Sequence, residues 1–334
     1  MKKIALLFSH FPKHLCGRDL PLLRLKAAVS FLKSQDVTVI TSAGQTHWDC
    51  ILTALLEHHI PVHPVIVKPM TVEEISEQFS CCFESYTIVE SWEQRDQFLC
   101  FNTDYVYPLW LRKNGHLAQI IALLPAERID FCFDCSSYRF SGSALKYVLH
   151  EPSEELRSLP DNYLWHWTRG KNGIWEGETR REFCNDLLSS QSAPRNAFAT
   201  LYRILKEQKL RAGCQHIAGN IPVTSFTENH PGYSRLLFTW RRDLQRMNFE
   251  PYGIGIPRTI ACLKGAGPLK YGTTPNWDTM KSENQWKNEL EWRIKGDFLL
   301  DDECRKKMIV VVRTTQEIEL IHTVFSGRVV AYEE

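Results

Sequence analysis

Through its first 125 residues the chain alternates short β-branched runs with amphipathic stretches, and this alternation constrains the fold more than any other feature. Lys3–Ser9 is an apolar run of strand length, and Leu20–Lys33 then places Leu22, Leu25, Ala28, Val29 and Leu32 on one helical face. Val37–Ile40 is β-branched, Trp48–His58 resumes helical spacing, and Val62–Val67, Tyr86–Val89 and Tyr105–Leu109 follow as further strands. Strand and helix alternating in short pieces imply a parallel sheet with helices on both faces.

From Phe131 to Asp161 turn residues collect, among them Ser136, Ser141, Gly142, Pro152 and Pro160. The expected division is a first domain over 1–135, a linker over 136–160 and a second domain over 161–334. The second half lacks the regular alternation. Tyr163–Thr168, Pro222–Phe226, Tyr252–Ile256, Glu289–Ile294, Met308–Arg313 and Arg328–Tyr332 have strand character, while Asn196–Leu210 and Ser234–Met247 have helical spacing. That pattern implies an α+β domain.

Composition narrows the function. Of 334 residues, 43% are apolar and 24% charged, with 40 Lys and Arg against 39 Asp and Glu. Such a balance excludes a disordered, collagen-like or fibrous chain and argues against a non-specific nucleic-acid sponge, while leaving room for a local basic groove. No run reaches the ~20 apolar residues of a membrane helix, so no membrane partner is expected. The opening MKKIALLFSHFPKHL has too short an apolar run for a signal peptide, and a cytoplasmic protein is expected. Eleven cysteines at irregular spacing suggest no disulfide framework, and the lone CxxC at Cys132 and Cys135 lacks a second pair, so no metal site is expected.

In an open parallel sheet, chemistry gathers at the carboxyl ends of the strands. Ser9 and His10 end the first strand, and Thr41-Ser42-Ala43-Gly44-Gln45-Thr46 joins the second to a helix through small and hydroxyl residues, as a phosphate loop or an ordinary tight turn would. The stretch TSAGQTHWDCILTALLEHHIPV resembles the corresponding segment of the DNA-processing protein A and lonely-guy group of Rossmann-like proteins, and RDQFLCFNTDYVYPLWLRKNGHLAQIIALL resembles its Arg-rich segment. The resemblance covers residues 1–125 and implies a Rossmann-like sheet with Ser42, Gly44, Arg95, Asp96 and Gly115 lining a nucleotide or nucleic-acid crevice. Where the lonely-guy enzymes carry PGGxGTxxE, this chain has Lys113-Asn114-Gly115 without the catalytic Glu, so the resemblance implies ligand binding only.

The second half carries groups suited to a nucleotide. On a strand YLWHWT, His166 and Thr168 share a face and could hold a ribose diol, with Arg169 able to reach a phosphate. PVTSFTE places Ser225 and Thr227 on one face and Phe226 on the other, with Glu228 at its end. ELEWRI puts Glu289, Glu291 and Arg293 on one strand face, as a solvated pair of carboxylates or, in a cleft, as an acid and a base set apart by mutual repulsion. On the helix expected over Ser234–Met247, Arg235, Arg242 and Arg246 form an outward basic stripe, either solvated or contacting phosphates.

In order, LWHWTR, ATLYRILKEQKLRAG, PVTSFTE, YGIGI and the final EWR resemble the abortive-infection AbiGi group and, more distantly, the ADP-ribosyltransferase-like fold. That resemblance implies His166 with Thr168 on the nicotinamide ribose, Tyr252 or Phe226 stacked on a ring, and Glu291 acting at the scissile ribose. It implies an anti-phage enzyme that cleaves a C1′–N bond, foremost an ADP-ribosyltransferase with NAD as substrate. Alternatives are a DNA glycosylase without a cofactor, which flips a base out of phage DNA and hydrolyses its bond with Glu228, Glu289 or Glu291, and a non-enzymatic nucleotide sensor. Nucleic acid is the expected partner.

Overall fold

Five β-branched and aromatic runs, each followed by a crossover, can lie side by side only in parallel, and they do. The computed structural model describes residues 2–10, 17–139, 151–171, 173–175, 177–189, 195–214, 217–241, 246–281 and 288–333. In chain order, β1 (Lys2–Phe8), α1 (Leu20–Leu32), β2 (Val37–Ser42), α2 (Thr46–Glu57), β3 (Val62–Val67), α3 (Val72–Phe79), β4 (Thr87–Val89), α4 (Trp92–Phe101), β5 (Tyr105–Trp110) and α5 (His116–Ile121) build a parallel sheet ordered β4-β3-β2-β1-β5. The central β1 is buried from Ile4 to Phe8, as a strand covered on both faces must be. The buried residues of α1 include the five that the spacing selects, and Pro21 sits in its first turn, where no backbone N–H is missed.

Next come α6 (Glu154–Arg157), β6 (Tyr163–Trp167) and α7 (Arg180–Leu188). The chain forms two units, and the boundary departs from the one expected at residues 135 and 161. Residues 1–142 and 172–194 make the first, while 143–171 and 195–334 make the second. Helix α7 therefore belongs with the parallel sheet. Nine consecutive residues of α2, His47 to Leu55, are buried, and α7 supplies Phe183, Cys184 and Leu187 to the same core. Arg180 pairs with Asp49 at 2.8 Å and Arg181 with Glu57 at 2.7 Å. A second helix covering α2 after an excursion of over a hundred residues leaves no local trace in the sequence.

The second unit continues with α8 (Ala197–Glu207), β7 (Lys209–Leu210), β8 (Val223–Thr227), β9 (Trp240–Arg241), β10 (Arg246–Met247), β11 (Gly253–Pro257), α9 (Arg258–Leu263), β12 (Gly267–Pro268), β13 (Lys270–Gly272) and β14 (Thr279–Lys281). It ends with β15 (Glu291–Lys295), β16 (Phe298–Leu299), α10 (Asp302–Lys307), β17 (Ile309–Val312), α11 (Ile318–His322) and β18 (Arg328–Ala331). Seven strands form one sheet in the order β12-β15-β8-β6-β11-β17-β18, antiparallel except for the final pair. One face packs Leu164, Leu201, Ile254, Ile256 and Val310. The other packs Trp165, Trp167, Phe238, Val311 and Tyr332. The two glycines of YGIGI have a clear purpose on that second face. A Cβ on Gly253 would come within 2.5 Å of the Trp167 ring, and one on Gly255 within 2.6 Å of Trp165. Their absence lets the two stacked indoles, 5.8 Å apart, lie directly on the neighbouring strand.

The expected helix over Ser234–Met247 does not form. Pro231–Leu237 is a short 3-10 stretch, capped by the His230 ring accepting from the Gly232 N–H, and β9 and β10 then pair as a hairpin with Met247 opposite Trp240. Leu237, Phe238 and Met247 are all drawn into the tryptophan core, which a regular helix could not deliver together. The basic stripe falls with the helix. Arg235 is exposed and paired with Glu151, while Arg242 and the side chain of Arg246 lie outside the described residues. Among the described residues no helix is long and apolar enough to cross a membrane.

The Asp49 carboxyl is buried at 2% exposure and is pushed up to about 6, chiefly by desolvation, against the opposing pull of Arg180 and the Gly44 N–H. A pKa higher in the folded than in the unfolded chain gives stability that is complete below the unfolded value and lost as pH rises through about 6. Asp49→Asn removes that titration. The free-energy difference between variant and wild type, from urea unfolding, should shift in the variant's favour by ~2–3 kcal/mol between pH 4 and 7.5. A gap that does not change with pH contradicts this account.

Candidate functional site

The first unit has one place where neighbouring strands part company. From β1 the chain steps outward through β2, β3 and β4, then returns to β5 on the other side of β1. In open parallel sheets the carboxyl edge at such a reversal is where ligands bind. Ser9 ties the two ends together, its N–H donating to the Trp110 carbonyl and its hydroxyl accepting from the Arg112 N–H, both at 2.9 Å. Beyond it His10 is exposed, with its ring 5.6 Å from that of buried His47. Burial holds His47 well below the usual imidazole range, and the charges of Arg95 and His10 push the same way.

Arg95 is buried between the rings of Trp48 and Trp92, at 4.9 and 4.8 Å. Its Nε donates to Asp96 Oδ1 at 2.8 Å and its Nη1 to the Gln45 amide oxygen at 3.2 Å. The other oxygen of Asp96 meets His116 Nδ1 at 3.0 Å. The buried pair therefore braces the loop before α2 and the first residue of α5. Arg112 and Lys113 stand exposed on the loop after β5, and His116 stands exposed at the start of α5 beside Gly115.

Of the residues expected to line a crevice here, His10 is exposed and Gly115 half-buried at this edge. Others hold the scaffold instead. The Ser42 hydroxyl is fully buried and donates to the Val65 carbonyl at 2.7 Å. Gly44 sits at φ +93°, with Met70 packed against its Cα, and its N–H donates to Asp49 at 2.7 Å. That donor is committed to a carboxylate, so of the two readings of this loop the ordinary tight turn fits. Arg95 and Asp96 satisfy each other. The sequence reading passed over His47, Arg112 and His116, although the two histidines beginning α2 and α5 were a visible signal.

In the second unit the pairing register decides which groups meet. On β6, β8 and β15, Trp165 lies opposite Thr227, and Thr227 opposite Glu291, while Phe226 lies opposite Trp292. His166 packs edge-on against Phe226 at 6.0 Å. His166, Thr168, Phe226 and Tyr252 thus occupy one face, and Ser225, Thr227, Glu291 and Arg293 the other. The expected convergence of His166 with Glu291 does not occur.

Each face has its own chemistry. His166 Nδ1 donates to the Ser225 carbonyl at 2.8 Å, which leaves Nε2 as the lone-pair nitrogen. Burial lowers its pKa, the bond to Ser225 opposes this, and Arg169 adds to the lowering. The Thr168 hydroxyl is spent on the Ala197 and Tyr252 carbonyls, and the Tyr252 phenol on Glu317. Phe226 is buried against Phe298. Glu228 pairs with Arg258 and accepts from the Trp292 indole at 3.1 Å. Neither the ribose-holding role of Thr168 nor the ring-stacking role of Phe226 and Tyr252 fits these commitments.

On the opposite face Glu291 accepts from the Ser225 hydroxyl at 2.8 Å and from Arg293 at 2.7 and 3.0 Å. Arg293 is nearly inaccessible and also donates to the Trp277 carbonyl. Leu290 adopts φ +45°, which ends the alternation, so β15 starts at Glu291 and Glu289 is not part of it as expected. Glu289 nonetheless stays close. It accepts from Asn248 at 3.0 Å, and the Tyr271 phenol is pushed up first by burial and then by Glu291 and Glu289. Tyr271 and Asn248 were not foreseen, since nothing local marks a tyrosine on a three-residue strand.

Comparison of the chain with protein-family models, with curated proteins and with solved structures finds no match.

His166→Ala and Glu291→Gln, which meet only through the carbonyl and the hydroxyl of Ser225, should couple in unfolding free energy more weakly than a directly bonded pair. Ser225→Ala with Glu291→Gln, which share a hydrogen bond, should depart from additivity by ~0.5–3 kcal/mol. Denaturant melts of the two double-mutant cycles check this, and strong coupling in the first would mean that the register is wrong.

Proposed function

We propose that the first unit binds a nucleoside phosphate in a crevice at the carboxyl edge of its parallel sheet, where the strand order reverses between β1 and β5. The observation that carries this reading is the reversal of strand order at β1, with exposed His10, Arg112 and Lys113 on the flanking loops and His116 at the start of α5. Arg112 and Lys113 would meet the phosphate with the two imidazoles, and Asp96 would orient His116 through Nδ1. The Rossmann-like resemblance of residues 1–125 points the same way. Calorimetric titration with ATP and with NAD tests it. Binding should weaken about tenfold in Lys113→Glu and in His116→Ala, the loss of one charge-assisted contact. No heat with either nucleotide ends the proposal.

A second reading rests on the Glu291 face. Two carboxylates, of which Glu291 is paired with Arg293, gather there with a phenol, an amide and a serine hydroxyl, and such a set could steady a ribosyl cation as a C1′–N bond breaks. The resemblance to abortive-infection proteins and to the ADP-ribosyltransferase-like fold supports an anti-phage enzyme, with NAD or a DNA base as the source of the leaving group. Glu291 would act at the ribose, and His166, on the other face, would take no part. Incubation with NAD and with phage DNA, followed by mass spectrometry, should yield free nicotinamide or a free base. Glu291→Gln should abolish the product and His166→Ala should not. The reverse pattern sinks the assignment.

A further inference from the structure

At one end of the central strands of the second unit lies an open cleft of about 440 Å³. It is formed where β6 begins, β11 ends, and β17 and β18 begin, against the end of α10. Lys306, Lys307 and Arg328 line it with Asn162 and Tyr163, over a floor that includes Met308, and no carboxylate is among its lining residues. We propose that this cleft is a phosphate-binding site, distinct from the crevice of the first unit, that takes the phosphate of a nucleic-acid backbone or of a free phosphorylated ligand.

The argument is electrostatic. Three cations drawn from two elements line one concave space, so an anion placed there is attracted by all three at once. Two of them are partly balanced at the rim, Lys307 by Glu303 at 3.3 Å and Arg328 by Glu155 at 3.0 Å, both in exposed pairs of small worth. Lys306 has no carboxylate partner among the described residues. The dipole of α10 favours cations in its last turn, which accounts for Lys306 and Lys307 but not for Arg328, which arrives from β18. The Tyr163 phenol donates to the Lys307 carbonyl at 2.8 Å and fixes the backbone that carries these lysines. Asn162 adds an exposed amide, and a guanidinium beside two ammonium groups suits the several oxygens of a phosphate.

The test uses the full chain with two probes, inorganic pyrophosphate and a fluorescein-labelled single-stranded oligonucleotide. Hydrogen exchange read on peptides spanning 302–309 and 326–331 localises the effect to this cleft, so failure here is separable from failure at the first unit. Either probe should slow exchange in those peptides. The double variant Lys306→Glu, Arg328→Glu should remove that protection and weaken affinity for the same probe about a hundredfold, with a shallower salt dependence. Both side chains are exposed, and an unchanged thermal midpoint would show that the variant folds. Protection by the oligonucleotide alone identifies a backbone site, and protection by both a site for free phosphate as well. Absence of protection with both probes, or protection that survives in the double variant, overturns the proposal.

Discussion

The pleat of a β-strand sends successive side chains to opposite faces, and in the second unit this single constraint decides which polar groups can act together. The register in which Trp165 faces Thr227 and Thr227 faces Glu291 is fixed by packing on both sides. Slipping it by one residue would turn Trp165 and Phe226 out of their cores and bring Glu291 and Arg293 into the aliphatic layer. The glycines of β11 reinforce that register, because only a residue without a Cβ fits beneath each indole. His166 and Glu291 are separated for the same reason that the sheet is stable.

A comparable economy operates in the first unit. The groups that look most like ligand contacts, Ser42, Gly44, Arg95 and Asp96, are those the fold uses to hold its loops. Buried polar groups must be hydrogen-bonded, and at a strand end the nearest partners are the turns themselves. The exposed cations remain available because they lie one or two residues further out, on loops rather than within the sheet. Arg95 illustrates the division. Its guanidinium lies between two indoles and is neutralised by the adjacent residue, so it shapes the edge without offering its charge to solvent.

Candidate positions in both units lie at sheet ends or on a sheet face, where secondary structure fixes the backbone and loops supply charge. The Glu291 cluster is tightly satisfied, with a bidentate bond from Arg293 and a hydroxyl from Ser225. Such a carboxylate is rigid and oriented, which suits electrostatic stabilisation better than proton transfer. The cleft at the end of α10 is the opposite case, with exposed cations that have few fixed partners.

Much of the architecture was legible in the sequence, because the strands of the first unit are β-branched runs and its helices carry apolar faces at helical spacing, both local properties that need no partner to be recognised. The failures share a cause. The supposed basic helix had the right spacing, but Phe238 and Met247 are worth more inside the tryptophan core than on a helix face, and no local pattern reports what a distant core will accept. The membership of α7 in the first unit, the coverage of Gly44 by Met70 and the arrival of Tyr271 and Asn248 beside Glu289 all join residues far apart in the chain. For the strands and helices of the first unit the sequence by itself determined the period and hence which residues share a face. Only the tertiary structure decided which faces meet, because register and packing are set by contacts whose free energy exists only once the chain has closed on itself.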